Sequence, residues 1–231
     1  MSAREQLEAL AAAARDWTPG SGSDLDVALE QMRRSVDPAR ARRAAVLILF
    51  GTLDDRPAEF PGSAAPADLD VLLIERAATL NSHPGQVAFP GGGVDPDDDG
   101  PAGAALREAE EETGLDPAGV RVLGLLPEMG LPVSNFLVTP VLAWWEKPTP
   151  VDVVDYAESA QVFRVPVADL LDPANRRTAV VRRGRMVHRT PAFTVNGVLV
   201  WGFTGVILDA LLERLGWTLP WDRALEIEPP L

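Results

Sequence analysis

Four glutamates fall within the short run LREAEEETGL, residues 106–115. On a helix, Glu108 and Glu112 stand four residues apart and share a face, with Glu111 beside them. Like charges at this spacing repel by roughly 0.2–0.5 kcal/mol per pair, so a cation is expected among them. Carboxylate oxygens suit Mg²⁺ or Mn²⁺, which take further ligands from substrate phosphates. The run predicts a metal site at Glu108, Glu111 and Glu112, and a solvated acidic face is the alternative.

The segment before this run, LLIERAATLNSHPGQVAFPGG at residues 72–92, could contact a ligand. Its closing glycines, Gly91 and Gly92, allow the backbone to approach a phosphate closely. His83 and Gln86 could hydrogen-bond a ligand or brace the loop. Phe89 is interpreted as a packing residue.

Six arginines lie between residues 176 and 189 of a chain whose net charge is −13. They could bind a phosphate group through bidentate contacts, or form a solvated hairpin that compensates nearby acids. The acidic balance argues against general binding of nucleic acid. The chain has no cysteine, and no apolar run is long enough to predict a membrane span. The N-terminus is unlike a signal peptide, so we expect a cytoplasmic protein.

The elements that would position these residues mix strands and helices without regular alternation, which favours an α+β fold with a mixed sheet. The best central helix runs from Pro101 to Thr113, with Gly114 as its C-terminal cap. Residues 79–100 are expected to be an irregular loop, and the tail after residue 216 is expected to be irregular. Helices are expected at residues 2–16, 24–35 and 203–215, and strands at 44–50, 69–77, 120–126, 136–145, 161–165, 178–182, 185–188 and 192–201.

The spacing Gly93, five residues, Asp99, seven residues, Arg107-Glu108-Ala109-x-Glu111-Glu112-x-Gly114-Leu115 resembles the Nudix box. That box is written G-x5-E-x7-R-E-U-x-E-E-x-G-U, where U is apolar. Asp99 stands where Glu is usual and Ala109 is small for U, while the other positions agree.

The resemblance implies an α/β/α sandwich and a metal-dependent hydrolase of nucleoside diphosphate derivatives. It implies that Glu108 and Glu112 bind the metal, with Glu111 as a further ligand or water-orienting carboxylate. Arg107 should hold a glutamate through a charge-assisted pair, and Asp99 should keep a weaker form of the usual role. The base is left open between Glu108, Glu111 and a loop carboxylate. Loop candidates are Glu128 and Glu158.

Residues 72–92 resemble the signature that precedes the box in the coenzyme A pyrophosphatase branch of this family. The resemblance implies that the substrate is coenzyme A or acyl-coenzyme A, and it covers roughly residues 44–215. The products would be 4′-phosphopantetheine, or its acyl form, and adenosine 3′,5′-bisphosphate. The positions carried over as substrate-binding are Arg76, His83, Gln86, Gly91 and Gly92.

Two alternatives remain open at this point. The chain could hydrolyse another nucleoside diphosphate derivative, such as NADH or ADP-ribose, or it could be a non-catalytic nucleotide sensor. We divide the chain into an N-terminal helical extension at 1–40, a hydrolase domain at 41–216 and a tail at 217–231. Whether the N-terminal helices cap the sheet, line the pocket or make a homodimer is left open.

Overall fold

The structure, a computed structural model, describes residues 1–14, 30, 32, 34–52, 58–62, 64–79, 85–132, 134–157, 159–184 and 186–230. Its helices are α1 (Ala3–Ala14), α2 (Gly100–Thr113), α3 (Val167–Leu171) and α4 (Gly202–Arg214). The first strands are β1 (Arg42–Gly51), β2 (Asp70–Arg76), β3 (Val87–Ala88), β4 (Gly91–Gly93), β5 (Val120–Leu125) and β6 (Met129–Leu131). They are followed by β7 (Phe136–Trp145), β8 (Ser159–Pro166), β9 (Arg176–Arg183), β10 (Met186–Val195), β11 (Val198–Val200) and β12 (Glu226–Ile227). The expected helix at 24–35 lies almost wholly outside the described residues.

A mixed sheet forms the centre of the molecule. Strand β1 pairs parallel with β7 over nine residue pairs, from Arg42 opposite Phe136 to Phe50 opposite Trp144. Strand β2 pairs antiparallel with β1, β3 and β8, and β7 pairs antiparallel with β5 and β6. The expected α+β class with a mixed sheet is confirmed.

Helices cover both faces of this sheet. Successive side chains along β1 point to opposite faces, and they are mostly apolar on both, so each face needs a covering layer. Leu47 and Leu49 pack against the alanines of α2 on one face. Ile48 and Phe50 pack on the other face, in the core that includes residues of α1, α3 and α4. All four of these side chains are fully buried. The arrangement is the expected α/β/α sandwich.

The stretch expected to be an irregular loop, residues 79–100, contains two short strands, so that prediction is wrong in part. Gly91, Gly92 and Gly93 pair antiparallel with Val46, Ala45 and Ala44 of β1. A run of glycines has no side-chain alternation, so the sequence carries no pattern from which this strand could be recognised. Residues 80–84, which include His83, lie outside the described part of the chain.

A second sheet has the strand order β11-β10-β9-β12. Strands β9 and β10 form the expected hairpin around RRGR, with Gly184 at φ +60°. The expected break between residues 188 and 192 is wrong, because β10 is continuous. The break lies at Asn196 and Gly197, both at positive φ, which is the geometry of an Asn-Gly hairpin turn.

The tail is not wholly irregular, which corrects the expectation. Residues Glu226 and Ile227 form β12, parallel to β9, and Trp217 is buried in the core. At the other end of the chain, α1 caps the sheet through Leu7 and Ala11, and Trp217 Nε1 donates to Gln6 Oε1 at 3.0 Å. The domain limits at residues 40 and 216 stay a prediction. Among the described helices, none is long and apolar enough to cross a membrane.

Candidate active site

Helix α2 carries the carboxylates, and residues near its two ends fix where it begins and ends. Pro101 occupies its first turn, and Gly114 ends it in the left-handed conformation, donating its N–H to Glu110 O at 2.8 Å. Ala104, Ala105 and Ala109 are fully buried, so the helix lies close against the sheet. The opposite sides of the helix are left to present charged residues.

Glu112 lies in the contact between α2 and the glycine strand β4. Its side chain is buried, and its Oε2 accepts a hydrogen bond from the N–H of Gly91 at 2.9 Å. Gly91 has φ +155°, and a Cβ there would stand 2.3 Å from the carbonyl oxygen of Ala45. Only glycine fits this position, so the backbone N–H can reach the carboxylate.

Glu108 occupies the space beside the next glycine. A Cβ on Gly92 would stand 2.4 Å from Cδ of Glu108, whereas a Cβ on Gly93 would meet nothing within 4 Å. The Glu108 carboxylate therefore lies in the space that a side chain at position 92 would occupy. This structure gives Gly92 a clear role in placing Glu108, beside the substrate-binding role that the resemblance implies.

Arg107 is a cation that lies among these carboxylates. Its Nη1 donates to Glu108 Oε1 and to Glu111 Oε2, each at 3.0 Å, and its Nη2 donates to the carbonyl of Gly93 at 3.0 Å. These charge-assisted bonds offset the repulsion that the glutamate spacing implies. Glu111 is the most exposed of this set, with 58% of its side chain accessible.

The strongest partner of Arg107 is Asp98, the residue before Asp99 of the box. Asp98 Oδ1 accepts from Arg107 Nε at 2.9 Å and Oδ2 accepts from Nη2 at 3.0 Å, a bidentate pair. Asp98 Oδ2 also accepts from the N–H of Asp95 at 2.7 Å. Asp99 is exposed and stands at the N-terminus of α2 without a side-chain capping bond. The bidentate pairing with Arg107 is thus made by Asp98, and the expected weaker role of Asp99 stays a prediction.

The electrostatics follow this pairing. The hydrogen bond from Arg107, with that from the N–H of Asp95, lowers the pKa of Asp98 below its usual range. The same hydrogen bond, with that to Glu108, raises the pKa of Arg107. Sequence reasoning missed Asp98 because three consecutive aspartates, 97–99, precede the helix. Only the path of the loop decides which of them faces Arg107.

The donor set fits a divalent metal. Glu108 and Glu112 offer hard carboxylate oxygens on one side of α2, and both converge on the backbone of β4. Glu111 lies one turn from Glu108 but turns toward Arg107. Within the described residues, no three Asp, Glu or His side chains are gathered around one point as ready ligands. Glu108 and Glu112 are therefore the residues that would hold a metal first, and the assignment of all three stays a prediction.

Two residues of the segment at 72–92 come together at the end of β2. Arg76 donates its N–H to Gln86 O at 3.0 Å and accepts from the N–H of Gly85 at 3.1 Å. In the described part of the chain, the buried Nε of Arg76 has no hydrogen-bond partner. Phe89 is 2% exposed, in agreement with a packing role. His83 lies outside the described residues, so its role stays a prediction.

The loop candidates for the general base have different outcomes. Glu128 pairs with Arg43 on β1 through Oε1 and Nη1 at 2.5 Å. Glu158 lies outside the described residues. Glu108, Glu111 and these loop residues stay the predicted candidates for the base.

The NUDIX domain family matches residues 63–188, more than half of the chain. The chain belongs to the Nudix hydrolase family. The uncharacterized Nudix hydrolase NudL of Enterobacter sp. strain 638 is 36% identical over 187 residues, covering 80% of this chain and 88% of the relative. That of Cronobacter sakazakii is 40% identical over 149 residues, covering 63% and 75%.

The chain is also similar to two Nudix hydrolases of known structure. One from Alicyclobacillus acidocaldarius has 19% identity and a TM-score of 0.46, covering 77% of this chain and 92% of the other. RenU from M. smegmatis has 27% identity and a TM-score of 0.42, covering 57% and 74%. As a Nudix hydrolase, this protein is a diphosphatase for small nucleotide derivatives, and the family generally uses divalent metal ions.

Proposed function

We propose that this Nudix hydrolase cleaves the diphosphate bond of coenzyme A or acyl-coenzyme A with Mg²⁺ or Mn²⁺. The observation that carries the proposal is the run of residues 72–92, which ends in the glycines that contact the catalytic helix. Gly91 donates to Glu112, and Gly92 makes room for Glu108. The segment that resembles the coenzyme A branch is therefore continuous with the site of diphosphate chemistry.

In the proposed reaction, Glu108 and Glu112 hold the metal and Glu111 is a further ligand or orients water. When bound, the metal polarises the diphosphate oxygens and lowers the pKa of a water molecule. Arg107 keeps Glu108 and Glu111 in place, and Asp98 keeps Arg107 in place. A carboxylate near the water accepts its proton. Gly91 and Gly92 stay in the proposed substrate-binding set on the strength of the sequence resemblance.

Arg76 and Gln86 are proposed to bind the part of the substrate away from the diphosphate. They are neighbours through a backbone hydrogen bond, and the buried Nε of Arg76 makes no hydrogen bond within the described residues. A guanidinium group in this position suits an anionic or carbonyl oxygen. His83 stays in the proposed substrate-binding set on the strength of the sequence resemblance. The cytoplasmic location and a homodimer stay predictions.

Mass spectrometry of the products tests the substrate. The enzyme is incubated separately with coenzyme A, acyl-coenzyme A, NADH and ADP-ribose, each with Mg²⁺ or Mn²⁺. We expect 4′-phosphopantetheine, or its acyl form, together with adenosine 3′,5′-bisphosphate. Preferential cleavage of NADH or ADP-ribose would replace the proposed substrate while keeping the reaction class. Absence of any turnover, with tight binding of nucleotides, would favour a sensor.

A further inference from the structure

The stretch from residue 176 to residue 189 is a basic region in an acidic protein. It contains six arginines and no acidic residue, while the whole chain has a net charge of −13. Arg176 and Arg177 are held by partners near the start of β9. Arg176 is buried, pairs with Asp209 and lies over the ring of Trp221, and Arg177 donates to the carbonyl of Ala174.

Arg182 and Arg189 are exposed and lie on the same face of the second sheet. Arg182 stands opposite Val187, and Arg189 stands opposite Val180. Since side chains alternate along a strand, Val180 and Arg182 share a face, and so do their partners. Glu226 of β12 belongs to this face as well, because it stands opposite Thr178.

The tail places carboxylates directly on these two arginines. Glu226 bridges them, with Oε1 at 3.1 Å from Arg189 Nε and Oε2 at 3.5 Å from Arg182 Nη2. Glu228 pairs with the other terminal nitrogen of Arg182. Two guanidinium groups that converge on one carboxylate are spaced to hold a small anion. A phosphate monoester offers three oxygens and more charge to the same donors.

Another anion can replace the tail carboxylates in their contacts with the two arginines. Arg182 is 48% exposed and Glu228 is 75% exposed. Ion pairs between exposed side chains are weak, because water and salt screen them. A phosphate dianion can therefore displace the carboxylates without unfolding the sheet. The backbone bond from Thr178 N–H to Leu225 O, at 2.9 Å, would still hold the tail.

We propose that Arg182 and Arg189 form a binding site for a phosphate dianion, and that Glu226 and Glu228 of the tail occupy this site and compete with the anion. The anion comes either from free phosphate or from the 3′-phosphate of the substrate. Only the 3′-phosphate as the source of the anion rests on the proposed function. The tail then sets the phosphate concentration at which the site fills.

The first experiment needs no turnover. Inorganic phosphate is titrated into the full-length protein, and the NMR signals of the arginine Nε–H groups of Arg182 and Arg189 are followed. In the Glu226→Gln, Glu228→Gln double variant, we expect half-saturation at about tenfold lower phosphate than in the wild type. Signals that do not respond to phosphate in this variant would overturn the proposal.

A matched control exists elsewhere on the surface. Glu8 and Glu146 face Arg4 and Arg121 in a second exposed network of two acids and two arginines. In the Glu8→Gln, Glu146→Gln variant, Arg182 and Arg189 should respond as in the wild type. If Arg4 and Arg121 in this variant bind phosphate as tightly as the hairpin does in its own variant, the effect is general surface charge and the proposed site is overturned.

Steady-state kinetics distinguish the sources of the anion. If the 3′-phosphate of coenzyme A binds here, the Glu226→Gln, Glu228→Gln variant lowers KM for coenzyme A and leaves KM for its 3′-dephospho form unchanged. Arg182→Gln with Arg189→Gln then raises KM for coenzyme A alone. If free phosphate is the ligand, both substrates respond equally in each variant. Failure of coenzyme A as a substrate leaves the phosphate titration unaffected, so the two proposals fail separately.

Discussion

Helix α2, which carries the proposed metal ligands, and the β9–β10 hairpin hold two charge networks of opposite composition. Around α2, one arginine serves several carboxylates, and its bidentate partner Asp98 is only 6% exposed. On the hairpin, two arginines share the carboxylates of the tail, and Glu228 is 75% exposed. The first network joins a loop, a strand and a helix, whereas the second joins exposed side chains. Burial and the number of bonds thus separate a fixed network from an exchangeable one.

The largest expected effect is at Glu112. We expect Glu112→Gln to reduce kcat for diphosphate hydrolysis by about 1000-fold, because a charged group of the proposed metal site is lost. The amide oxygen can still accept the N–H of Gly91, so the fold should be kept. Circular dichroism and thermal unfolding check the fold. Activity close to that of the wild type would contradict the metal assignment.

A methyl group at Gly92 tests the contact between strand and helix. Gly92→Ala should displace Glu108, because the new Cβ would stand 2.4 Å from its Cδ. A shift of about 1 Å in a catalytic group can lower kcat/KM by about 100-fold. Gly93→Ala is the matched control, since its Cβ meets nothing within 4 Å. Similar losses in both variants would show that the strand, rather than Glu108, is affected.

The choice between adjacent aspartates gives the next effect. Asp98→Asn breaks the bidentate pair with Arg107, and we expect a loss of about 10-fold in kcat, typical of outer partners of a site. Asp99→Asn should behave like the wild type, since that side chain is exposed. Kinetics of the two variants side by side provide the measurement. The reverse ranking would support the role that the resemblance implies for Asp99 and contradict the importance of the Asp98 pair.

The pH dependence of stability should reveal the same pair. Because Arg107 lowers the pKa of Asp98, the stability from this pair is present above the unfolded pKa of about 4. It is lost as the pH falls through the lower pKa of the folded state. Urea unfolding between pH 2 and about 6 should show a shallower acid dependence in Asp98→Asn than in Asp99→Asn. Identical slopes would mean that Asp98 carries no linked proton.

The smallest effect is expected on the hairpin. Replacing Glu228 by Gln removes an ion pair with Arg182 that is exposed to solvent. We expect the free energy of unfolding to fall by less than about 1 kcal/mol. Chemical denaturation at low and high salt measures this change. A loss several times larger would place the tail with the fixed networks, and the contrast between the two regions would disappear.

Sequence reasoning determined the site wherever the contacts are local. The spacing of Arg107, Glu108, Glu111 and Glu112 decides which side chains are neighbours, because a helix has a regular period. Gly114 ends that helix for the same local reason, since glycine adopts the left-handed cap at little cost. The buried strand β1 follows from its continuous apolar run, and α4 follows from the helical spacing of its apolar residues, and with them the α+β class.

Only the tertiary structure decided the contacts between distant segments. Which of three aspartates meets Arg107 depends on the path of a loop, and each of them offers the same chemical group. The strand at Gly91–Gly93 exists because β1 supplies its hydrogen bonds. Glycines carry no side-chain pattern from which this strand could be predicted. The tail strand likewise forms on an edge that β9 provides. The regular geometry of a helix or strand can be predicted from residue order. Pairing between distant segments depends on where folding places the backbone of each segment.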